Sequence, residues 1–446
     1  MAETIKIKKG LNINLVGKAQ HKVTEIVPDD FALKPTDFNG VFPRLLVREG
    51  DTVKAGTPVF CDKYREEIVF TSPVSGKVAE IKRGDKRVLQ EICIQADSKT
   101  EYVDFGKQEA ASLTREEIVR KMLQSGVWPM VRQRPYNVIA NPADLPDNVF
   151  ISGFDSAPLA PDYGFILKDQ LAVFQAGVNV LARLTKGKVY IGVPVADHPL
   201  AGIKNAAITC FEGPHPAGNV GIQIHHVKPI NKGDIFWTVN PQDVVILGKL
   251  FTLGVYDAAV TIAVAGSEAG DPHYFRTLKG VSVKSLHVNN AKNGNTRIIS
   301  GDVLTGTKIS HNGYLGFYHH QFTLIPEGNY HEFFGWALPG FKKFSFSKAF
   351  FSWTHGKREY KLDTNLHGGV RSYVMTGLYE KVLPMDILPM QLIKACLIED
   401  IDLMEKLGIY EVDEEDFALV EFIDTSKTEI QAIIRKGIDL VRKEMS

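Results

Sequence analysis

The hydrophobic period changes several times along these 446 residues, and that succession constrains the fold more tightly than any single motif. Up to about residue 100, apolar residues alternate as in half-buried strands and are punctuated by Gly, Pro and Asp. VREGDTVKAGTPVF (47–60) and VFTSPVSGKVAEIKRGD (69–85) each read as strand, turn, strand, so a compact all-β unit is predicted. The pattern then becomes mixed. Thr114 and Glu117 form a capping box, Ile118, Val119, Met122 and Leu123 share one helical face, and Gly126 ends the helix. Apolar runs at 149–154, 188–194 and 258–266 read as buried strands. Helices are expected over 167–187 and from Asn240-Pro241 to about Gly254. Such alternation predicts a parallel α/β sheet. From about 275 to 330, GVSVKSLHV, NTRIISGDVLTG and GYLGFYHHQFTLI return to a strand pattern without a helical period. Residues 331–385 are rich in aromatics and glycine, with no assignable period. After Met385 two stretches carry the 3.6-residue period of helices, and the acidic run Asp413 to Asp416 between them is expected as a solvated linker or a docking surface.

Lys+Arg and Asp+Glu both total 52, and a net charge of zero speaks against nucleic acid as the main partner. Cys61, Cys93, Cys210 and Cys396 are far apart without a CxxC pair. They suggest neither a disulfide framework nor a thiolate-held metal, and fit a reducing compartment. Residues 244–266 approach the length that crosses a bilayer of about 30 Å. Lys249 and Asp257 interrupt them, and glycines stand at 248 and 254, so a buried helix and strand are expected and no membrane span. The opening MAETIKIKKG has no apolar core of a secretory signal.

Several motifs invite chemistry that their spacing does not support. Gly10 to Lys18 looks like a phosphate loop, but six residues separate Gly10 from Gly17, and Ala19 stands where a Ser or Thr would hold Mg²⁺. Read as strand residues, His225-His226 and His319-His320 point to opposite faces and cannot chelate one ion, so no metal site is expected. The motifs GDTVKAG (50–56) and SPVSGKV (72–78) resemble the lipoyl/biotinyl carrier fold. The resemblance implies a modified lysine near position 65, where this chain has Arg65, with Lys63 out of register. The scaffold is expected without the swinging arm.

The segment EEIVRKMLQSGVWPMVRQRPYNVIA (116–140) resembles the helix and glycine-rich loop of the flavin-binding NADH-dehydrogenase subunit of complex I and of its relative in the Rnf complex. Those glycines let backbone N–H groups close on a flavin phosphate. Here Trp128 to Tyr136 replaces them, and the cysteine clusters of the iron–sulfur centres are missing. Together with GPHPAGNVGIQIHHVKPI and FWTVNPQDVVILGKLFTLG within 213–254, the chain resembles, over nearly its whole length, the NqrA subunits of the Na⁺-translocating NADH:quinone oxidoreductases.

That resemblance implies an α/β multidomain chain. Its parts are a lipoyl/biotinyl-carrier-like β domain (1–105), a Rossmann-like parallel α/β domain (106–272), a β-grasp SLBB-like domain (273–330) and a C-terminal region ending in a helical domain (331–446). It further implies a peripheral subunit on the cytoplasmic face of a bacterial inner membrane, working with subunits B to F. This chain would bind no cofactor, flavins and the iron–sulfur centre would lie in partner subunits, and quinone would be a possible ligand. A quinone headgroup needs flat apolar walls and hydrogen-bond donors. Trp128 and Tyr136 offer walls, Arg132 and Arg134 donors, and Pro135 a stiff turn. Two other readings are a free-standing flavin-dependent NADH dehydrogenase and a carrier-like adaptor. The lost glycines and cysteines oppose the first, and Arg65 the second.

Overall fold

The computed structural model describes residues 3–287, 292, 294–356, 358–374 and 376–445. Among these, the strands form four sheets. Two small ones, with strand orders 30–33/89–96/76–83/52–53 and 43–45/58–62/69–71, pack as the N-terminal β unit around Phe31, Val53, Phe60, Phe70 and Ile92. Arg65 lies in the turn joining Pro58–Asp62 to Val69–Thr71 and is held by Asp62 at 3.2 Å.

The third sheet is the α/β sheet, ordered 3–6, 207–212, 189–193, 148–152, 236–239, 131–134, 138–139. Its first five strands run parallel, and Val131–Arg134 and Val138–Ile139 close the edge antiparallel. Strands 148–152, 189–193 and 207–212 step outward, and 236–239 returns to the other side of 148–152, as in a doubly wound fold. Helices Leu171–Ala182 and Pro241–Leu253 cover it, pressed together at two glycines. A Cβ on Gly177 would meet the Val244 carbonyl oxygen at 2.1 Å, and one on Gly248 the Val173 carbonyl oxygen at 2.0 Å.

The fourth sheet is mixed, ordered 307–308, 296–300, 321–326, 259–265, 273–278, 20–25. Here two expectations are corrected. Ala259–Ala265 is a strand, but it sits at the centre of this sheet rather than in the parallel one, because burial on both faces marks a central strand without naming its neighbours. GVSVKSLHV contains a helical turn, Val283–His287, whose Val283 and Leu286 are both fully buried at a spacing of three; Val288 lies outside the described residues.

Residues 3–25 belong to neither small sheet. Glu3–Lys6 is the parallel edge of the α/β sheet and Gln20–Glu25 the parallel edge of the mixed sheet. The phosphate-loop look-alike is the strap between them. Gly10, at φ 141°, lets the backbone cross His215, where a Cβ would lie 2.1 Å from the carbonyl oxygen. Gly17, at φ 96°, does the same against Gly266 at 2.2 Å.

The C-terminal helices Pro389–Leu397, Ile401–Lys406, Ala418–Ile423 and Ile430–Met445 bury Leu392, Ile393, Val420, Ile434 and Ile438. They share a core with the outer side of the α/β sheet. Segment 331–385 is mostly turns and extended chain, with short 3₁₀ turns at Phe351–His355 and Tyr379–Lys381.

Candidate functional site

Helix Arg115–Ser125 is fixed at both ends by local chemistry. The Thr114 hydroxyl accepts from the Glu117 N–H, the Glu117 carboxylate accepts from the Thr114 N–H, and Gly126 closes the helix at φ 74°. The chain then makes the turn Trp128–Met130, the strand Val131–Arg134, a cis Arg134–Pro135 peptide, and two left-handed residues, Tyr136 (φ 81°) and Asn137 (φ 50°). The five residues expected to form a quinone site therefore follow one another along a hairpin. Their side chains go to different places.

Trp128 is 0% exposed. It stands edge-on to Trp237 at 5.4 Å and gives its indole N–H to the Ala140 carbonyl at 2.8 Å, so its donor is already used inside the core. Arg132 and Arg134, two apart on a strand, leave the same face. Arg132 is half-buried, with its guanidinium 4.9 Å above the Tyr318 ring, whose hydroxyl donates to the Pro129 carbonyl. Arg134 is 1% exposed and pairs with Asp413 at 3.0 Å. Tyr136 is half-buried, 6.2 Å from the Tyr410 ring. The structure thus brings Arg134 and Tyr136 to the seam between the hairpin and the C-terminal region, turns Arg132 to Tyr318, and buries Trp128 in the core. None of the five lines the cavities of about 1180, 620 and 520 Å³.

What meets the arginines is the acidic run Asp413 to Asp416. Its expected place, a solvated linker or docking surface, is corrected here. Asp413 and Asp416 are buried, and Asp416 accepts from the Asp413 N–H in a capping box that starts the turn Glu414–Phe417. Burial opposes charge on Asp413, but Arg134, a hydrogen bond from Glu414 and then Arg435 outweigh it and hold the carboxyl below its usual range. Its neighbours shift the other way. Burial, then the Asp413 charge, pushes Glu414 up to about 9 and Glu415 up to about 7; burial, partly offset by Arg134, pushes Asp416 up to about 7. One firm anion thus sits among carboxyls that ionise reluctantly. Asn137 also donates to Asp413 from 276 residues away. Single-sequence reasoning missed Asp413 as the partner of Arg134. The available signal was local only: an Asp-x-x-Asp cap ahead of the apolar ALVEFI.

A second cluster lies beyond the carboxyl ends of strands 148–152 and 207–212, where open α/β sheets place ligands. The Ser156 hydroxyl is 3.0 Å from His215 Nδ1 and accepts from the Gly218 N–H at 2.8 Å; the Ser152 hydroxyl donates to the Gly218 carbonyl at 2.7 Å. These bonds anchor the GPHPAG loop, with its cis His215–Pro216 peptide, beside the 520 Å³ cavity that Asp155 and Ser156 line. Burial pushes His215 down to about 4 and Asp155 up to about 6.

The histidine pairs are also relocated. His225 and His226 end the helix Val220–Val227 rather than a strand, and their Nδ1 atoms turn to different partners, Glu411 at 2.7 Å and the Ile222 carbonyl at 2.9 Å. His319 meets Ser300, and His320 meets Tyr163. Among the described residues, no group of three or more His, Cys, Asp or Glu side chains is placed to hold a metal ion.

Compared with known proteins, residues 5–97 match the family model of the NqrA N-terminal barrel-sandwich hybrid domain. Residues 113–256 match that of the NqrA second alpha/beta domain, and 261–311 that of the NQRA C-terminal domain, an SLBB model. Among curated proteins, the NqrA subunit of the Na(+)-translocating NADH-quinone reductase of Neisseria meningitidis serogroup A is 37% identical over 446 residues, which span 99% of this chain and 100% of that protein. The proteins of the same name from Yersinia pestis bv. Antiqua, at 37%, and Hahella chejuensis, at 36%, cover the same shares. Among solved structures, an NAD⁺-reducing [NiFe]-hydrogenase in the air-oxidised state aligns with TM-score 0.36 and 14% identity over 50% of this chain and 48% of that one. That likeness is too slight to carry an argument.

Proposed function

The chain belongs to the NqrA family, subunits of the Na⁺-translocating NADH-quinone reductases, and from that premise we propose that it works as a peripheral, quinone-proximal subunit holding no redox centre of its own. It is a subunit of an oxidoreductase complex, and the observation that carries this is identity of 37% over the full length of both chains. The free-standing dehydrogenase and carrier readings are not favoured by that match. In our reading subunits B to F are its partners, flavins and the iron–sulfur centre lie with them, and the chain sits on the cytoplasmic face. Two observations support this. No helix among the described residues is long and apolar enough to cross a membrane, and the stretch replacing the flavin loop is packed shut by Trp128 and Pro129. Affinity capture of the tagged chain from its natural host tests the assignment. NADH:quinone reductase activity stimulated by Na⁺ should come with it, and capture of the chain alone overturns it.

For quinone, we propose that Arg132 and Tyr136 make the contacts, while Trp128, Arg134 and Pro135 hold the hairpin that presents them. Arg132 is the one guanidinium of the pair that is partly open, and its contact with the Tyr318 ring face engages no hydrogen-bond acceptor, which leaves N–H groups for a carbonyl oxygen. Arg132→Ala should weaken binding of a quinone analogue by about 1.5–3 kcal/mol with little change in melting temperature. Unaltered binding places the quinone elsewhere.

A further inference from the structure

Residues 330–361 hold eleven aromatics in 32 positions, and six Lys or Arg against two Glu, in a chain whose net charge is zero. They fold back on themselves into a knob. The Phe351 N–H bonds to the Pro339 carbonyl, Lys343 ties Glu332 to the Gly335 carbonyl, and Arg358 reaches the Phe341 carbonyl. One side is anchored: Phe344 packs on Tyr360 and Phe422, and Phe346 joins the C-terminal core. The other side is bare. Phe333 is 88% and Trp336 80% exposed, and Phe334, Leu338, Phe351 and Trp353 are about half exposed. Lys342 and Lys348 are exposed on the same knob, Lys348 standing 5.8 Å from the Trp353 ring.

We propose that this knob seats the chain on an anionic lipid surface, with Phe333, Trp336 and Trp353 among the headgroups and Lys342 and Lys348 against their phosphates. Exposed apolar clusters of this size mark a docking surface, and composition selects the occupant. Protein interfaces are depleted in Lys, whereas Trp, Phe and Lys together are the signature of segments lying at a membrane boundary. The cytoplasmic loops of membrane proteins are themselves basic and would repel such a knob. Its irregular backbone keeps it at headgroup depth, since unpaired peptide groups are not tolerated in hydrocarbon. The inference rests on the reading of the chain as a peripheral member of a membrane complex.

The test adds vesicles of phosphatidylcholine, with or without phosphatidylglycerol, to the full chain and follows co-sedimentation and tryptophan emission. Of the four tryptophans, Trp128 and Trp237 are buried, so a blue shift reports Trp336 and Trp353. Binding is expected with phosphatidylglycerol, weakening with salt. Lys342→Glu with Lys348→Glu should weaken it by more than about tenfold, since each basic group near such a surface strengthens binding about fivefold. Phe333→Ser with Trp336→Ser should weaken it by at least about tenfold with an unchanged melting temperature. Failure to bind either vesicle, or binding that both variants leave intact, overturns the proposal. If the chain still co-purifies with its complex in that event, the membrane-complex reading stands and only the lipid knob falls. Loss of co-purification in Phe333→Ser with Trp336→Ser, without vesicle binding by the parent chain, assigns the knob to a protein partner instead.

Discussion

Arg134 and Asp413 are the residues on which the C-terminal helices turn. Each is 1% exposed, so removing Arg134 leaves the Asp413 charge in the interior with only Arg435, at 3.7 Å, to balance it. Breaking a buried pair this way costs about 3–5 kcal/mol, and Arg134→Ala should show a loss of that order in urea denaturation. Arg132→Ala, which forfeits a partly exposed ring contact, should lose only about 0.5–1 kcal/mol. That contrast is why Arg132 alone is the useful probe of quinone binding. The helix start at Thr114 and its end at Gly126 were legible in the sequence because a capping box and a left-handed glycine depend on residues within four positions. The partner of Arg134 was not, since it lies 279 residues further on and nothing local distinguishes a buried acidic run from a solvated one.

At the scale of elements, helices Leu171–Ala182 and Pro241–Leu253 depend on the reciprocal contact of Gly177 and Gly248 with each other's backbone. Gly177→Ala would gain helix propensity of about 1 kcal/mol. The added methyl, 2.1 Å from a carbonyl oxygen, forces the helices apart at a cost of about 1–3 kcal/mol or more. A fall in melting temperature is expected, and a rise would show that the helices separate freely. Both helices were readable from their apolar faces and from Asn240-Pro241, but their closeness was not, because a glycine inside a helix reads only as a weak spot. Ala259–Ala265 shows the same limit, being recognisable as a strand while its sheet was not. The carrier-like turns, by contrast, were legible, since Gly and Pro fix them over a few residues, though each joins strands of different sheets.

For the whole molecule, the acidic seam gives stability a direction with pH. Glu414, Glu415 and Asp416 hold their protons to about 9, 7 and 7 in the folded chain, against about 4 when unfolded. The folded state therefore binds more protons over that range, and stability falls as pH rises, by at most about 1.4 kcal/mol per pH unit for each carboxyl. The buried His215, His319 and His320 act oppositely, but only below about 6.5. Between about pH 6.5 and 9 the carboxyls should dominate, so thermal melts should show a declining midpoint. Glu414→Gln should flatten that decline up to about pH 9, and Glu415→Gln with Asp416→Asn only up to about pH 7, so a slope unchanged in both would mean the seam does not carry it.

The strap that ties the two larger sheets also orders events on the ribosome. Glu3 pairs with Thr209, 206 residues later, and Gln20 with His273. At about 5–20 residues per second, the leading strand waits roughly 10–40 s for its neighbour to be made. Once clear of the exit tunnel it is an unpaired edge for the rest of that wait, open to chaperones and to wrong strand partners, and the segment is sealed only when the mixed sheet arrives.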